Sequence, residues 1–184
     1  MEMWVAIGVA ALIGLYVISS FNRLVSLRYR VRDAWAQIDV QLKRRHDLIP
    51  NLVNAVKGYM DHERGVLESV TRARQQAIAA SANINERAAA ESALSASTSK
   101  LMALVEAYPA LRASENVMAL QEELASTENR IAFARQFYND CVMEYNTGRG
   151  TFPRNFLAGP FGFGRAEMFA LEDAGERAVP QVRV

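Results

Sequence analysis

MWVAIGVAALIGLYVISSF, residues Met3 to Phe21, contains no charged side chain. As an α-helix this stretch would be about 28 Å long, close to the roughly 30 Å thickness of a bilayer's hydrocarbon core. Trp4 lies at one end, where an indole ring can occupy the headgroup boundary. We therefore predict that residues 1–21 form a single transmembrane anchor.

Two other interpretations of this stretch deserve comparison with the anchor. A buried core helix is disfavoured by a charge-free run of this length at the start of the chain. A cleaved signal peptide would need a basic region before the run, but only Glu2 and the initiator amine precede it. It would also need an A-x-A-like cleavage site after the run, and no such site closes the segment cleanly. We expect a retained anchor.

The charges flanking the anchor predict its orientation. No Lys or Arg precedes the apolar run, and four arginines follow it closely: Arg23, Arg28, Arg30 and Arg32. The positive-inside rule then places the N-terminus outside and the rest of the chain in the cytoplasm, at a bacterial inner membrane. These membrane-proximal arginines could also contact anionic lipid headgroups, at about 1 kcal/mol each, so membrane lipid is a predicted partner.

Residues 22–147 have the repeat of amphipathic helices, with apolar positions at alternating steps of three and four. The first series is Leu24, Leu27, Val31, Ala34 and Ile38, and the second runs from Ile49 to Ala77 with only Glu63 charged. The most regular series is Val117, Leu120, Leu124, Thr127, Ile131, Ala134, Tyr138, Cys141 and Tyr145. We predict an all-α fold, an elongated antiparallel bundle with long coiled-coil-like helices.

Helix ends follow from capping and breaking residues. Pro50 either starts the second helix or kinks a continuous one, and the polar stretch from Ser81 to Arg87 is typical of a turn. A shorter helix carrying Leu94 and Leu101 should end before Pro109. The last long helix should run from about Ser114 to Thr147, where Gly148 and Gly150 would stop it.

Residues 148–184 form a tail rich in glycine and phenylalanine. Large apolar rings on a flexible backbone are unfavourable in water, so we expect the tail to pack on a helix surface or on a neighbouring copy. The candidates for this interaction are Phe152, Phe156, Phe161 and Phe163. A small-residue ladder, Ala6, Ala10 and Gly14, would also permit close pairing of anchors, and we expect a homo-oligomer.

The sequence contains no motif that indicates catalysis. It has one cysteine, Cys141, no pair of histidines at metal-binding spacing and no phosphate-binding glycine loop. His46 and His62 are expected on solvated helix faces, as is the basic run Lys43–Arg45, while Cys141 falls on an apolar stripe and should pack there. We predict a non-enzyme without catalytic, cofactor-binding or metal-binding residues, and the formal net charge of +1 does not indicate nucleic-acid binding.

Long strings of this chain resemble the LemA family. They are DAWAQIDVQLKRRHDLIPNLVNAVKGY from Asp33, EAYPALRASENVMALQEEL from Glu106, ENRIAFARQFYNDCVMEYNT from Glu128, and the step Phe152-Pro153. The resemblance covers roughly residues 17–163. It implies a bacterial membrane protein with an N-terminal anchor and a soluble helical domain, and it implies no catalytic activity. Some members of the family are associated with intracellular membrane organisation.

Two functions are compatible with these features. The first is a non-enzymatic, membrane-anchored scaffold or interaction protein that self-associates at the bacterial inner membrane. The second is an accessory or sensor subunit of a membrane protease or signalling enzyme, in which the helices present a surface to an unidentified protein partner. A metal-binding bundle is a third, weaker interpretation. The sequence names neither the physiological process nor the number of copies.

Overall fold

The computed structural model describes residues 1–80 and 83–169, and this part of the chain is helical without a strand. Its elements are α1 (Glu2–Lys57), a 3-10 turn (Asp61–Glu63), α2 (Arg64–Ala79), α3 (Ile84–Glu106), α4 (Pro109–Arg112), α5 (Glu115–Gly150) and α6 (Asn155–Ala158). The predicted all-α fold with a long apolar N-terminal helix is confirmed. Within the described residues, α1 is the one helix long and apolar enough to cross a membrane.

The chain divides into two compact units. Unit 1 contains Met1–Val40 and Ile131–Met168, so it holds the apolar end of α1, the C-terminal part of α5 and α6. Its core consists of Leu24 and Leu27 of α1, Tyr145 of α5, and two tail residues, Ala158 and Phe163.

Unit 2 contains Gln41–Arg130. Its core is built from the C-terminal end of α1, α2, α3, α4 and the N-terminal part of α5, with Leu52, Val70, Leu101, Leu111 and Leu124 almost inaccessible to solvent. Helix α3 begins after an Asn83 cap, whose side chain accepts hydrogen bonds from the amides of Asn85 and Glu86.

Helix α1 continues through Pro50, so the proline does not begin a second helix. Proline has no N–H, so it cannot donate to the carbonyl oxygen four residues earlier, that of His46. The guanidinium of Arg74 from α2 takes this place, with Nε donating to the His46 oxygen at 2.6 Å. A side chain from a neighbouring helix thus satisfies the acceptor that the proline leaves free.

The predicted helix from Ile49 to Ala77 is wrong at its centre. The structure ends α1 at Lys57 and resumes helix at the 3-10 turn Asp61–Glu63. The apolar series predicted Tyr59 to be buried, but Tyr59 is exposed and Met60 takes the buried position. Gly58 allows the break because glycine favours the helical conformation least among residues that can donate a backbone hydrogen bond.

The stop predicted at Gly148 is wrong, because α5 continues through this residue, but the helix does end at Gly150, the second predicted stop. A Cβ built on Gly148 would lie 2.9 Å from Cδ1 of Leu27. The glycine therefore allows close approach of α1 and α5 within unit 1. Upstream the predicted stripe of α5 is confirmed: its nine members from Val117 to Tyr145 are all buried or half-buried.

Candidate functional site

One phenylalanine ring of the tail packs against helices α1 and α5 of the same chain in unit 1. Phe163 is 3% exposed and lies with Leu24, Leu27 and Tyr145 in the unit 1 core. Phe21, the last residue of the charge-free stretch, contacts Phe163 edge-to-face with ring centroids 5.5 Å apart. The expectation that this part of the tail packs on a helix surface is fulfilled at Phe163.

Side chains of α5 hold the backbone that follows Phe163. Arg149 Nε donates to the Phe163 oxygen at 2.6 Å, and the Tyr145 hydroxyl donates to the Gly164 oxygen at 2.8 Å. Asn146 makes a pair of bonds with Ala166, donating from Nδ2 at 2.9 Å and accepting at Oδ1 at 3.1 Å. Because an amide side chain that pairs with both backbone groups of one residue fixes its orientation, the segment is held in one register.

The other three predicted tail rings face solvent. Phe152, Phe156 and Phe161 are 79%, 68% and 51% exposed, and we call them the aromatic cap. Phe152 and Phe156 contact each other edge-to-face at 5.9 Å, and Phe161 contacts Phe21 at 5.3 Å. The exposed pair Phe152 and Phe156, with Phe161 exposed five residues further along the chain, leaves apolar surface of the kind that marks an interaction site.

The membrane-proximal arginines lie on the first turns of α1 after Phe21. Arg23 and Arg30 both reach Glu144 of α5, at 2.9 and 2.6 Å, and both remain about half exposed. Arg28 and Arg32 are exposed. Such exposed ion pairs contribute little to stability. The four arginines outnumber this one glutamate, so net positive charge remains at the surface next to the apolar stretch.

A second candidate exposed surface lies on α5 farther from the apolar stretch. Phe133 and Phe137 are 72% and 42% exposed and stand one helical turn apart on one face. The ring of the next residue, Tyr138, contacts that of Trp35 of α1 edge-to-face, with ring centroids 5.2 Å apart. Trp35 is fourteen residues beyond Phe21, about 21 Å along the helix. We call Phe133 and Phe137 the α5 aromatic pair.

Unit 2 contains a buried ionic cluster that the sequence interpretation did not predict. Arg45 is 1% exposed and its guanidinium contacts three α3 and α5 groups: the Glu91 carboxylate, the Ser95 hydroxyl at 2.6 Å and the Glu128 carboxylate at 2.9 Å. His46 Nε2 lies 3.1 Å from Glu91 Oε1. The expectation that Arg45 and His46 lie on a solvated face is therefore wrong.

The Glu91 carboxylate carries the negative charge at the centre of this cluster. Burial alone would raise the pKa of Glu91, but the hydrogen bond with His46 and the positive charge of Arg45 outweigh it and hold the pKa below its ordinary value. Glu91 is therefore ionised at neutral pH and balances the buried guanidinium.

A signal for Arg45 was present in the sequence. The first apolar series ends at Ile38 and the second begins at Ile49, and Leu42 and Arg45 continue the same steps of four and three between them. Glu91 likewise lies three residues before Leu94 on the buried stripe of α3. Opposite charges on two stripes that must both be buried indicate an ion pair.

The remaining candidates for chemistry are separate from this cluster. His62 is exposed, as expected, and Cys141 is buried, which raises the pKa of its thiol. In the described parts of the chain no three His, Cys, Asp or Glu side chains come together in a way that could hold a metal ion. In the cluster itself, Arg45 occupies the position between the carboxylates of Glu91 and Glu128.

Residues 34–184 match the model of the LemA family. The chain belongs to the LemA family. The match includes the buried ionic cluster, the α5 aromatic pair and the aromatic cap. It begins after Arg32, so the four membrane-proximal arginines lie outside it.

Relatives of this LemA-family chain carry the name magnetosome protein. MamQ of Magnetospirillum gryphiswaldense is 22% identical over 98% of this chain and 77% of its own length. MamQ 1 and MamQ 2 of Paramagnetospirillum magneticum are each 36% identical over 44% of this chain and 29% of their own length. The stronger identity is thus confined to 80 aligned residues, less than a third of either Paramagnetospirillum protein.

Proposed function

We propose that this LemA-family chain is a non-enzymatic scaffold, anchored by α1 in a bacterial inner membrane, that self-associates through its cytoplasmic helices. The observation that carries self-association is the α5 aromatic pair, two large rings left in water on one helix face. The relatives' name, magnetosome protein, refers to a cellular structure and to no reaction, which supports a structural role.

The anchor and its flanking charges support the membrane part of the proposal. α1 joins the charge-free residues 3–21 to the helical body without a break, and the arginines that follow favour a cytoplasmic body. Anchored copies are confined to one surface and share one orientation. Weak contacts between their helices then form more readily than between copies free in solution.

The α5 aromatic pair is suited to a symmetric contact. In a two-fold arrangement the same patch serves both copies, so Phe133 of one copy can pack on Phe137 of the other. Burying one phenylalanine stabilises a contact by about 1.5–3 kcal/mol. Four rings in a dimer would be a substantial apolar centre, of the kind that dominates binding energy in protein interfaces.

Photo-crosslinking in membranes tests this proposal. A photoreactive phenylalanine analogue at Phe133 should give a crosslinked product with twice the mass of the chain, while the analogue at exposed Glu122 should give little. Adding Phe137→Ser to the Phe133 sample should reduce the product several-fold. A product that contains one other protein in place of a second copy would overturn self-association and favour the alternative, an accessory or sensor subunit of a membrane protease or signalling enzyme.

A further inference from the structure

We propose that the aromatic cap inserts into the headgroup region of the bilayer beside the anchor, so that the chain touches its membrane at a second place. This proposal rests on the proposed anchoring by α1 and goes beyond it, because it assigns the exposed rings of the tail to lipid. The sequence alone left two alternatives for these rings, packing on a helix surface and packing on a neighbouring copy.

The position of Phe161 supplies the first argument. Its ring lies 5.3 Å from the ring of Phe21, and Phe21 is the last residue of the charge-free stretch that starts at Met3. If α1 spans the bilayer with this stretch in the hydrocarbon core, Phe161 lies at the boundary between core and headgroups. Phenylalanine side chains on the apolar face of interfacial segments are buried at that boundary between headgroups and acyl chains.

The direction of α5 places Phe152 at a similar depth. Within unit 1, α5 runs antiparallel to α1, because Tyr138 contacts Trp35 edge-to-face and Gly148, later in α5, approaches Leu27, earlier in α1. Leu27 is six residues from Phe21, about 9 Å along the helix, and α5 continues two residues beyond Gly148 to its end at Gly150, about 3 Å further in the same direction. The end of α5 therefore lies about one helical turn from the level of Phe21, and Phe152 follows that end by two residues.

The cap is held in place and faces outward. Ala158 and Phe163, on either side of Phe161, are buried in the core of unit 1, and Arg149 fixes the Phe163 carbonyl. These contacts leave the three rings of the cap exposed. Exposed Arg28 and the half-exposed Arg23 and Arg30 lie on the turns of α1 just beyond Phe21, where anionic headgroups would meet them.

These features favour lipid over a second copy as the occupant. The cap and the arginines together combine apolar rings with positive charge at one end of an apolar helix, which is the pattern of a surface that binds an anionic membrane interface. A copy bound at the same place would have to displace headgroups from both surfaces.

Spin-label accessibility in vesicles tests the proposal on the full chain. Cys141→Ala removes the native thiol, and single cysteines are then introduced by Phe152→Cys, Phe156→Cys and Phe161→Cys for nitroxide labelling. Each variant is reconstituted in vesicles of phosphatidylethanolamine and phosphatidylglycerol. Collisions of the label with oxygen, which partitions into lipid, are compared with collisions with a water-soluble nickel complex. Helical content measured by circular dichroism checks that each variant is folded.

Two control positions separate this proposal from the anchoring on which it rests. Leu12→Cys lies within the apolar stretch and Glu122→Cys on the exposed body. We expect oxygen to dominate at Leu12, the nickel complex at Glu122, and intermediate depth with oxygen preferred at all three cap positions. An aqueous label at Leu12 would contradict the anchor itself.

Two results would overturn the lipid contact while leaving the anchor intact. The first is an aqueous signal at the cap positions together with a lipid signal at Leu12. The second is low collision frequency with both reagents together with dipolar broadening between labels, because that combination would show that a second copy covers the rings.

Discussion

Arg45 and Glu91 depend on each other because each is buried and neither charge has water to solvate it. A buried ion pair adds little compared with apolar residues of the same size, but removing one partner leaves the other charge uncompensated. Glu128 provides Arg45 with a second carboxylate, which is one-third exposed. Any packing of α1 on α3 that separated the two charges would leave them buried and uncompensated, which costs free energy. The pair therefore favours the observed packing of α1 on α3 in unit 2.

Replacing Glu91 by Gln tests this dependence at neutral pH. Glu91→Gln keeps the shape of the side chain and removes the charge, so we expect the free energy of unfolding in urea to fall by about 3–5 kcal/mol. The matched control is Glu123→Gln, which breaks the exposed pair with Arg44 and should cost about 1 kcal/mol or less. Equal losses in the two variants would contradict the assignment of Arg45 to a buried cluster.

The same carboxylate gives stability a defined pH dependence. Because the pKa of Glu91 is lowered in the folded chain, its contribution is complete above the ordinary value of 4.5 and is lost as the pH falls through the lower folded value. The gap in unfolding free energy between the wild type and Glu91→Gln should therefore narrow below about pH 4.5. If this difference in unfolding free energy stays constant down to pH 3, protonation of Glu91 does not contribute to the loss of stability in acid.

At the scale of elements, one buried ring of the tail, that of Phe163, packs in the core of unit 1. We expect Phe163→Ala to lower the free energy of unfolding by about 3–5 kcal/mol, since it deletes a ring from the core. Phe156→Ala, an exposed position in the same tail, should change it by less than about 0.5 kcal/mol. Hydrogen exchange at the Ala166 amide, which donates to Asn146, should accelerate in the first variant only, and similar acceleration in both would contradict the assigned packing.

The sequence predicted a helix and its buried face well where apolar residues recur at a regular spacing. The series from Val117 to Tyr145 is buried or half-buried throughout because the cores of both units need an apolar face at those positions. The same reasoning missed the break after Lys57, since Tyr59 and Met60 are both apolar and only the packing decides between them.

The candidate sites were harder to predict because they depend on contacts between distant residues. Arg45 and Glu91 look like surface residues when each helix is considered alone, although both lie on buried stripes. The bonds from Tyr145, Asn146 and Arg149 to the tail join side chains to backbone oxygens fourteen to twenty residues away. No local pattern identifies such partners, whereas the long apolar N-terminal helix and the arginines that follow it could be predicted from composition and order alone.

At the scale of the whole molecule, the account depends on α1 as a retained anchor that carries the body on the cytoplasmic face. Both the proposed self-association and the lipid contact of the aromatic cap assume that copies are held in one membrane with one orientation. Cys141 does not interfere with a labelling experiment, because it is buried and burial raises the pKa of its thiol, so little reactive thiolate is present.

Cysteine labelling in intact bacterial cells is the most direct test of that anchor. In Glu2→Cys a membrane-impermeant maleimide should react before lysis, and in Glu122→Cys it should react only after the cells are opened; both positions are exposed in the structure. Both proteins should remain in the membrane fraction after a high-salt wash. Labelling of Glu122→Cys but not Glu2→Cys in intact cells, or release of the protein by the wash, would contradict a cytoplasmic body held by a membrane-spanning α1.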